Sequence, residues 1–100
     1  MYIAMNRFTV HGGKGEEFEA RWRDRESFLA DVPGFIKFRL LKLDETHYSS
    51  YAEWESEADF RAWTTSDSFR KAHGQRMPEG IIAGPPNLEC WEVVLDGAGG

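Results

Sequence analysis

Three residues carry side chains suited to chemistry at positions that ordinary structural roles explain poorly: Asn6, Trp63 and His73. Asparagine is depleted in strands, so an inward Asn6 must satisfy its amide with a group inside a cavity. A neutral imidazole is an available iron ligand, and the small neighbours of His73, Ala72 and Gly74, would let a flat ring come close. These residues predict a site for a planar ligand. The alternatives are an exposed helix-end histidine at His73 and a core tryptophan at Trp63.

Other catalytic and binding motifs are missing from the sequence. The three histidines have no second histidine or cysteine at ligand spacing, which argues against a zinc site. The glycines at positions 12, 13 and 15 precede a predicted helix but lack the spacing of phosphate-binding loops. Ser66 and Ser68 lie near His73 without the glycine-flanked turn of a hydrolase nucleophile. No flavin or nicotinamide motif is visible, so a redox reaction would need an external electron donor.

Length and composition predict one small globular domain. The chain has 100 residues, and we expect a single domain over residues 1–96 with a flexible tail at 97–100. A chain of this size buries a modest core, so a homodimer is expected. The net charge of −5, without a basic stripe, argues against nucleic acid as a partner. No apolar run reaches the roughly 18 residues of a membrane span and no charged leader is present, which favours a cytoplasmic protein.

The single cysteine, Cys90, limits the chemistry further. It excludes an internal disulfide and a cysteine-bound iron–sulfur cluster, and it suits a reducing compartment. Because no histidine or lysine is close in sequence to activate the thiol, we expect Cys90 to be a small buried hydrophobic residue.

Hydrophobic periodicity predicts the elements that must position these residues. Phe18, Trp22 and Leu29, with Arg25 between them, follow the spacing of one helix face. Ser56 precedes Asp59 at capping-box spacing and opens a second helix. The predicted order is strand 2–10, helix 15–31, strands 35–43 and 47–55, the helix after Ser56, a short helix 67–75 and strand 88–95. The glycine- and proline-rich stretch 74–86 is a long loop of the kind that often forms a lid.

This order of elements predicts an α+β fold. A single antiparallel sheet with both helices on one face accommodates it. Alternation puts Phe38 and Leu40 on one side of the second strand and Leu41 and Leu43 on the other. The face without helices would be apolar, and two such sheets packed face to face would bury it.

Several segments resemble a known family. The main ones are Met5-Asn6-Arg7-Phe8, Phe60-Arg61-Ala62-Trp63 and the run from Ser66 to His73. Further landmarks are Pro33-Gly34-Phe35, Trp54-Glu55-Ser56 and the closing segment 88–96. Through them nearly the whole chain resembles the heme-degrading monooxygenases of the IsdG type, within the antibiotic biosynthesis monooxygenase superfamily. The specific part of the resemblance is the set of Asn, Trp and His in matching elements.

The resemblance implies a ferredoxin-like βαββαβ domain that pairs as a dimeric α+β barrel, with heme b as substrate and cofactor between helices and sheet. His73 is similar to the axial ligand of the heme iron, and Asn6 to the amide on the opposite side. Trp63 matches the bulky residue that ruffles the porphyrin, which steers oxidation toward a meso carbon. Trp22 stands where relatives carry Phe, and Arg25 matches a basic residue that approaches the heme. The electron donor would be a reductase or a small-molecule reductant.

Two rival functions remain open at this point. A cofactor-free monooxygenase of the same superfamily would oxidise a polycyclic phenol to a quinone, with Asn6 and Trp63 contacting the substrate and no iron on His73. A non-catalytic heme-binding protein would use His73 without degrading the heme. For Arg25, the alternative to a heme contact is a solvated or ion-paired side chain.

Overall fold

In the part of the chain that the structure describes, four strands and two helices follow one another in the predicted order. A computed structural model describes residues 1–25, 29, 31–67, 69–70 and 80–97. The elements are β1 (Tyr2–Thr9), α1 (Gly15–Arg25), β2 (Phe35–Asp44), β3 (His47–Trp54), α2 (Glu57–Thr64) and β4 (Asn87–Glu92). The order βαββαβ confirms the predicted α+β class. Neither described helix has the length and hydrophobicity needed to cross a bilayer.

The strands form one antiparallel sheet in the order β2-β3-β1-β4, the arrangement of ferredoxin-like domains. Residues directly opposite each other in neighbouring strands share a face. One row therefore runs from Phe38 through Ala52 and Ala4 to Cys90. Both helices pack on the side of this row, which we call the helix face, and the other side is the open face.

Two hydrophobic clusters on the helix face hold the helices to the sheet. Phe18 of α1 is fully buried against Phe8 and Tyr48, with ring centroids 5.3 and 4.9 Å away. Phe60 of α2 packs against the fully buried Trp54 at 5.8 Å. Each helix thus has its own cluster, and the space between the clusters lies over the middle of the sheet.

A partly buried hydrogen bond adds to the attachment of α1. The Tyr48 hydroxyl donates to Glu19 Oε2 at 2.7 Å. Gly15 allows this contact, because a Cβ at this position would lie 2.7 Å from the Tyr48 hydroxyl oxygen. Burial, followed by the neighbouring Glu19 carboxylate, raises the pKa of Tyr48.

The start of α2 has the predicted cap. Ser56 has extended backbone angles, and its hydroxyl accepts a hydrogen bond from the Asp59 amide at 3.2 Å. The turn before β2 packs against this cap, since the Glu55 amide donates to the Gly34 carbonyl at 2.8 Å. The same capping pattern recurs at Ser66, which accepts from the Phe69 amide at 3.2 Å.

Helix α1 ends earlier than predicted. Helix α1 was expected to continue to Asp31, but Leu29 and Asp31 lie in turns. Pro33 disfavours helical geometry in the residue before it, which pushes the end of the helix toward the N-terminus. In the predicted helix 67–75, residues 67, 69 and 70 are helical and the remainder falls outside the described residues.

Part of the glycine- and proline-rich stretch 74–86 is packed into the hydrophobic core. Ile81 is 1% exposed and belongs to the first hydrophobic cluster. Ile82 forms a β-bridge with Val10, and the Ala83 amide donates to the Thr9 carbonyl at 2.8 Å. Residues 81–83 are therefore part of the packed domain, while residues 74–79 lie outside the description.

Two expectations about exposure also need correction. Cys90 was expected to be buried but is exposed, because β4 is an edge strand. The open face carries the exposed Leu41 and Leu43, as predicted, yet it is less apolar than expected since charged residues alternate with them. The ion pairs on it are Arg7–Glu89 at 3.3 Å and Arg39–Glu53 at 3.5 Å.

Candidate functional site

A cavity of about 180 Å³ lies between the two helices and the helix face of the sheet. We call it the aromatic cavity, because its walls are mainly ring side chains. Trp22 of α1 forms one wall, and Phe60 and Trp63 of α2 form the opposite one. None of the described lining residues is ionisable, so the cavity suits an apolar, flat ligand.

Small side chains in the middle of the sheet create this space. Ala4 and Ala52 lie opposite each other in β1 and β3 and form the centre of the floor. In the next pair on the same face, two residues along β1, Asn6 lies opposite Ser50 and adds polar groups to the floor. Replacing either alanine with a larger residue would fill the space that a ligand needs.

Asn6 is the cavity residue whose polar side chain lacks a hydrogen-bond partner among the described residues. Its side-chain oxygen is enclosed and has no hydrogen-bond partner among the described residues. An enclosed amide oxygen without a donor costs about 1–3 kcal/mol, so natural proteins tolerate it where a ligand or water supplies the partner. Asn6 thus lies on the inward side of β1, at the floor of the cavity.

Trp63 is held in place by other rings. It stands near the end of α2, with its centroid 5.4 Å from that of Trp54 and 6.4 Å from that of Phe60. Phe69 meets it edge-on at 4.8 Å. Packing from three neighbours gives the cavity a wall that resists displacement by a bound ligand.

Trp22 is fixed in a similar way on the other side. It stacks on Phe38 at 5.4 Å with 21° between the rings. Phe8 and Phe18 meet it edge-on at 5.7 and 6.2 Å. The indole therefore belongs both to the first hydrophobic cluster and to the cavity wall.

The charged residues nearest the aromatic cavity, among those that the structure describes, lie in an adjoining groove of about 350 Å³. The groove shares Trp22 and Phe38 with the cavity, and its other side carries charged side chains. Lys42 is one of them, and the Glu45 carboxylate 3.3 Å away raises the pKa of its ammonium group. The other charged lining residues are Glu19, Arg23 and Arg39.

The structure brings together three of the five predicted site residues. Asn6, Trp22 and Trp63 come from β1, α1 and α2 and line the same cavity. Arg25 is the last residue of α1, but its side chain lies outside the described part. His73, the predicted iron ligand, also lies outside it. Among the described residues no cluster of three or more His, Cys, Asp or Glu could hold a metal ion.

Sequence reasoning missed Ser50 and Phe38 as cavity residues. The signal for Ser50 was available, because Tyr48, Ala52 and Trp54 share one strand face and Ser50 falls in the same alternation. Phe38 was assigned to a face, but its stacking on Trp22 depends on where α1 crosses the sheet. No local pattern encodes that crossing.

Comparison with known proteins agrees with this combination of fold and site. Residues 1–75 match the sequence model of the antibiotic biosynthesis monooxygenases. The chain belongs to this family.

Relatives within the family differ in what they act on. The chain is 33% identical over 99 residues to the heme oxygenase (mycobilin-producing) of Mycobacterium tuberculosis, covering 97% of this chain and 92% of that protein. The structure of the heme-degrader MhuD from Mycobacterium tuberculosis, with two hemes bound in its active site, superposes with a TM-score of 0.80. That pair is 31% identical and covers 98% of this chain and 100% of the other. The deoxynogalonate monooxygenase of Streptomyces nogalater is 38% identical over 71 residues, covering 71% of this chain and 53% of that protein.

Proposed function

We propose that this chain is a heme-degrading monooxygenase that uses oxygen and external electrons to open the heme ring and release its iron. The observation that carries the proposal is the aromatic cavity, which is walled by Trp22 and Trp63 and has the Asn6 carboxamide on its floor. A porphyrin offers the flat apolar surface that suits these walls, and its metal centre offers a place where a polar group is needed. The similarity to a heme oxygenase along 97% of the chain supports the same conclusion.

Each site residue has a physical task in this proposal. The Asn6 amide would donate a hydrogen bond toward the heme, and His73 would hold its iron. Trp63, held by its ring neighbours, presses on the porphyrin and bends it. Trp22 packs against the ring edge, and the Arg25 guanidinium pairs with a propionate. Heme supplies the oxidative chemistry, and the chain positions and shapes it.

The wider setting belongs to the same proposal. Electrons come from a separate reductase or a small-molecule reductant. The active form is a homodimer in which the open faces of two copies pack against each other as an α+β barrel. The protein works in the cytoplasm, without nucleic acid or a membrane as partner.

A titration with hemin tests the proposal. Hemin is added to the purified chain, and ascorbate follows in air with catalase present, because free peroxide bleaches heme by itself. We expect saturable binding, then loss of the Soret band and release of iron. Binding without Soret loss would indicate a heme carrier, and absence of saturable binding would refute the heme-degrading function.

The His73→Ala substitution tests the iron ligand. We expect it to abolish the five-coordinate histidine–heme spectrum, because a methyl group cannot bind iron. His47→Ala is the matched control, since His47 is an exposed residue at the start of β3. An unchanged spectrum in His73→Ala would show that another residue binds the iron.

One finding favours a second candidate function. The chain is 38% identical over 71 residues to a deoxynogalonate monooxygenase. The second candidate is therefore a cofactor-free oxidation of a polycyclic phenol to a quinone. The aromatic cavity suits such a ring system as well, with Asn6 and Trp63 contacting the substrate. Oxygen uptake with a polycyclic phenol in the absence of heme would support this candidate.

A further inference from the structure

Ser50 brings a hydroxyl group into the aromatic cavity. It is 9% exposed and is the buried polar residue among those that the structure describes. It lines the cavity from the middle of β3, between the apolar side chains of Tyr48 and Ala52 on the same face. Serine is usually exposed, so a buried hydroxyl at the floor of an apolar cavity calls for a partner.

The strand register puts Asn6 beside Ser50. The two residues lie directly opposite each other in the β1–β3 ladder, both on the helix face. The Cβ atoms of such pairs are about 5 Å apart, within reach of a hydroxyl and an amide. The neighbouring Ser49 points to the open face, and its hydroxyl donates to the Asn6 backbone carbonyl at 3.3 Å. Of these two serines, Ser50 is therefore the one that shares a face with the Asn6 side chain.

The Asn6 side chain can present either of two different groups to a ligand. A carboxamide has an oxygen that accepts and an NH₂ that donates, and rotation by half a turn exchanges them. Here the oxygen is the enclosed atom, and no described residue donates to it. A bound planar ligand excludes bulk water from the cavity, so the amide needs a protein donor on its oxygen if the NH₂ is to stay directed at the ligand.

We propose that Ser50 is the positioning residue for Asn6. When the cavity is filled, the Ser50 hydroxyl donates to Asn6 Oδ1, after rotation about its own Cα–Cβ bond or through one water. This bond holds the Asn6 Nδ2 group toward the oxygen-binding side of the heme. The inference rests on the proposed function, and it assigns Ser50 a role through Asn6 without contact to the reacting atoms.

The stretching frequency of carbon monoxide bound to the ferrous heme complex measures the direction of the amide. An N–H group pointing at the bound CO lowers this frequency, because positive charge near its oxygen increases back-donation from the iron. We expect Ser50→Ala to raise and broaden the band and to slow heme degradation by about fivefold, the worth of one ordinary hydrogen bond. Ser50→Thr keeps the hydroxyl and should restore the wild-type band even if its extra methyl weakens heme binding.

A matched control removes a hydroxyl elsewhere on the neighbouring strand. Thr9→Val changes an exposed residue three positions after Asn6, on the open face, and should leave the band unchanged. A band in Ser50→Ala identical to that of the wild type, in a protein that still degrades heme, would overturn the inference and leave the proposed function intact. Failure of the wild type to bind hemin would overturn both.

The Asn6→Ala background separates positioning from direct contact. If Ser50 acts only through Asn6, adding Ser50→Ala to Asn6→Ala produces no further shift of the CO band. A further shift of similar size would show that the Ser50 hydroxyl meets the ligand itself, which would overturn the positioning role.

Discussion

At the scale of single residues, the cavity depends on side chains whose own neighbours prevent them from moving. Among the described residues, Trp63 packs against three rings and Trp22 against three others, so both indoles are held in place by the protein itself. A ligand that meets them must adapt to the protein. For a porphyrin, which bends more easily than a packed core, this means distortion of the ring.

Trp63→Ala tests this idea. We expect heme binding to remain largely intact, because Trp22 and the sheet still enclose the ring, while turnover falls by about tenfold or more as the distortion is lost. Heme affinity and turnover are measured on the same preparation, with circular dichroism to check the fold. Trp63→Phe, which keeps an aromatic wall, should retain more activity. Unchanged turnover in Trp63→Ala would remove the residue from the mechanism.

At the scale of elements, the turn between β2 and β3 contains a carboxylate, Asp44, whose pKa is lowered by hydrogen bonds within the turn. Asp44 accepts from the Thr46 amide at 2.9 Å and contacts His47 Nδ1 at 2.8 Å. These hydrogen bonds, the one from the Thr46 backbone first, lower the pKa of Asp44 to about 2 from an ordinary value of 3.8. The ionised carboxylate therefore favours the folded hairpin.

This shift predicts a dependence of stability on pH. The contribution of Asp44 is complete above about pH 5, where the carboxylate is ionised in both states, and is lost as the pH falls toward 2. Denaturant midpoints of the wild type and of Asp44→Asn should therefore converge between about pH 5 and pH 2. Asp96→Asn, in the segment after β4, is the control. A constant difference across this range would show that Asp44 does not titrate as described.

Gly34 determines how closely the turn before β2 approaches α2. Its φ of +81° lies in the left-handed region, and a Cβ on it would collide with the Asp59 side chain. Gly34→Ala should cost about 1–2 kcal/mol for the backbone and about 1–3 kcal/mol more for the collision. Gly13→Ala is a matched control, because Gly13 has the same φ but open space around its Cβ position. Equal losses of unfolding free energy in the two variants would contradict the close approach.

Local patterns predicted the elements well, and contacts between distant segments account for what they missed. Alternation predicted the strand faces and capping-box spacing predicted the cap at Ser56, because each depends on a few neighbouring residues. The burial of Ile81 could not be predicted in this way, since a stretch rich in glycine and proline has no periodicity and the partner strand is far away in sequence. The exposure of Cys90 depends on strand order, which the periodicity of a single strand does not contain.

At the scale of the whole molecule, the open face is the surface that a second copy would cover. It combines exposed apolar side chains, Leu41 and Trp91 among them, with ion pairs that are satisfied within the chain. Paired charges are easier to bury than free ones, so this mixture is compatible with a symmetric sheet-to-sheet contact.

In solution we expect a dimer, with twice the 11.5 kDa mass of one chain. Light scattering during gel filtration measures this mass. Leu41→Arg should shift it to the monomer, because a twofold contact would contain the new charge twice, near Arg7 and Arg39. Leu95→Arg makes the same chemical change after the end of β4 and should remain dimeric. A monomeric wild type would refute the proposed homodimer.

The four tryptophans fall into two groups whose intrinsic fluorescence reports on two different parts of the molecule. Of its four indoles, Trp22, Trp54 and Trp63 surround the aromatic cavity, while Trp91 is exposed on the open face. A strongly absorbing planar ligand takes excitation energy from the first three as it enters, which dims most of the intrinsic fluorescence. The wavelength of the remaining Trp91 emission depends on the solvent exposure of its ring. One emission spectrum therefore reports both ligand binding in the cavity and the covering of the open face.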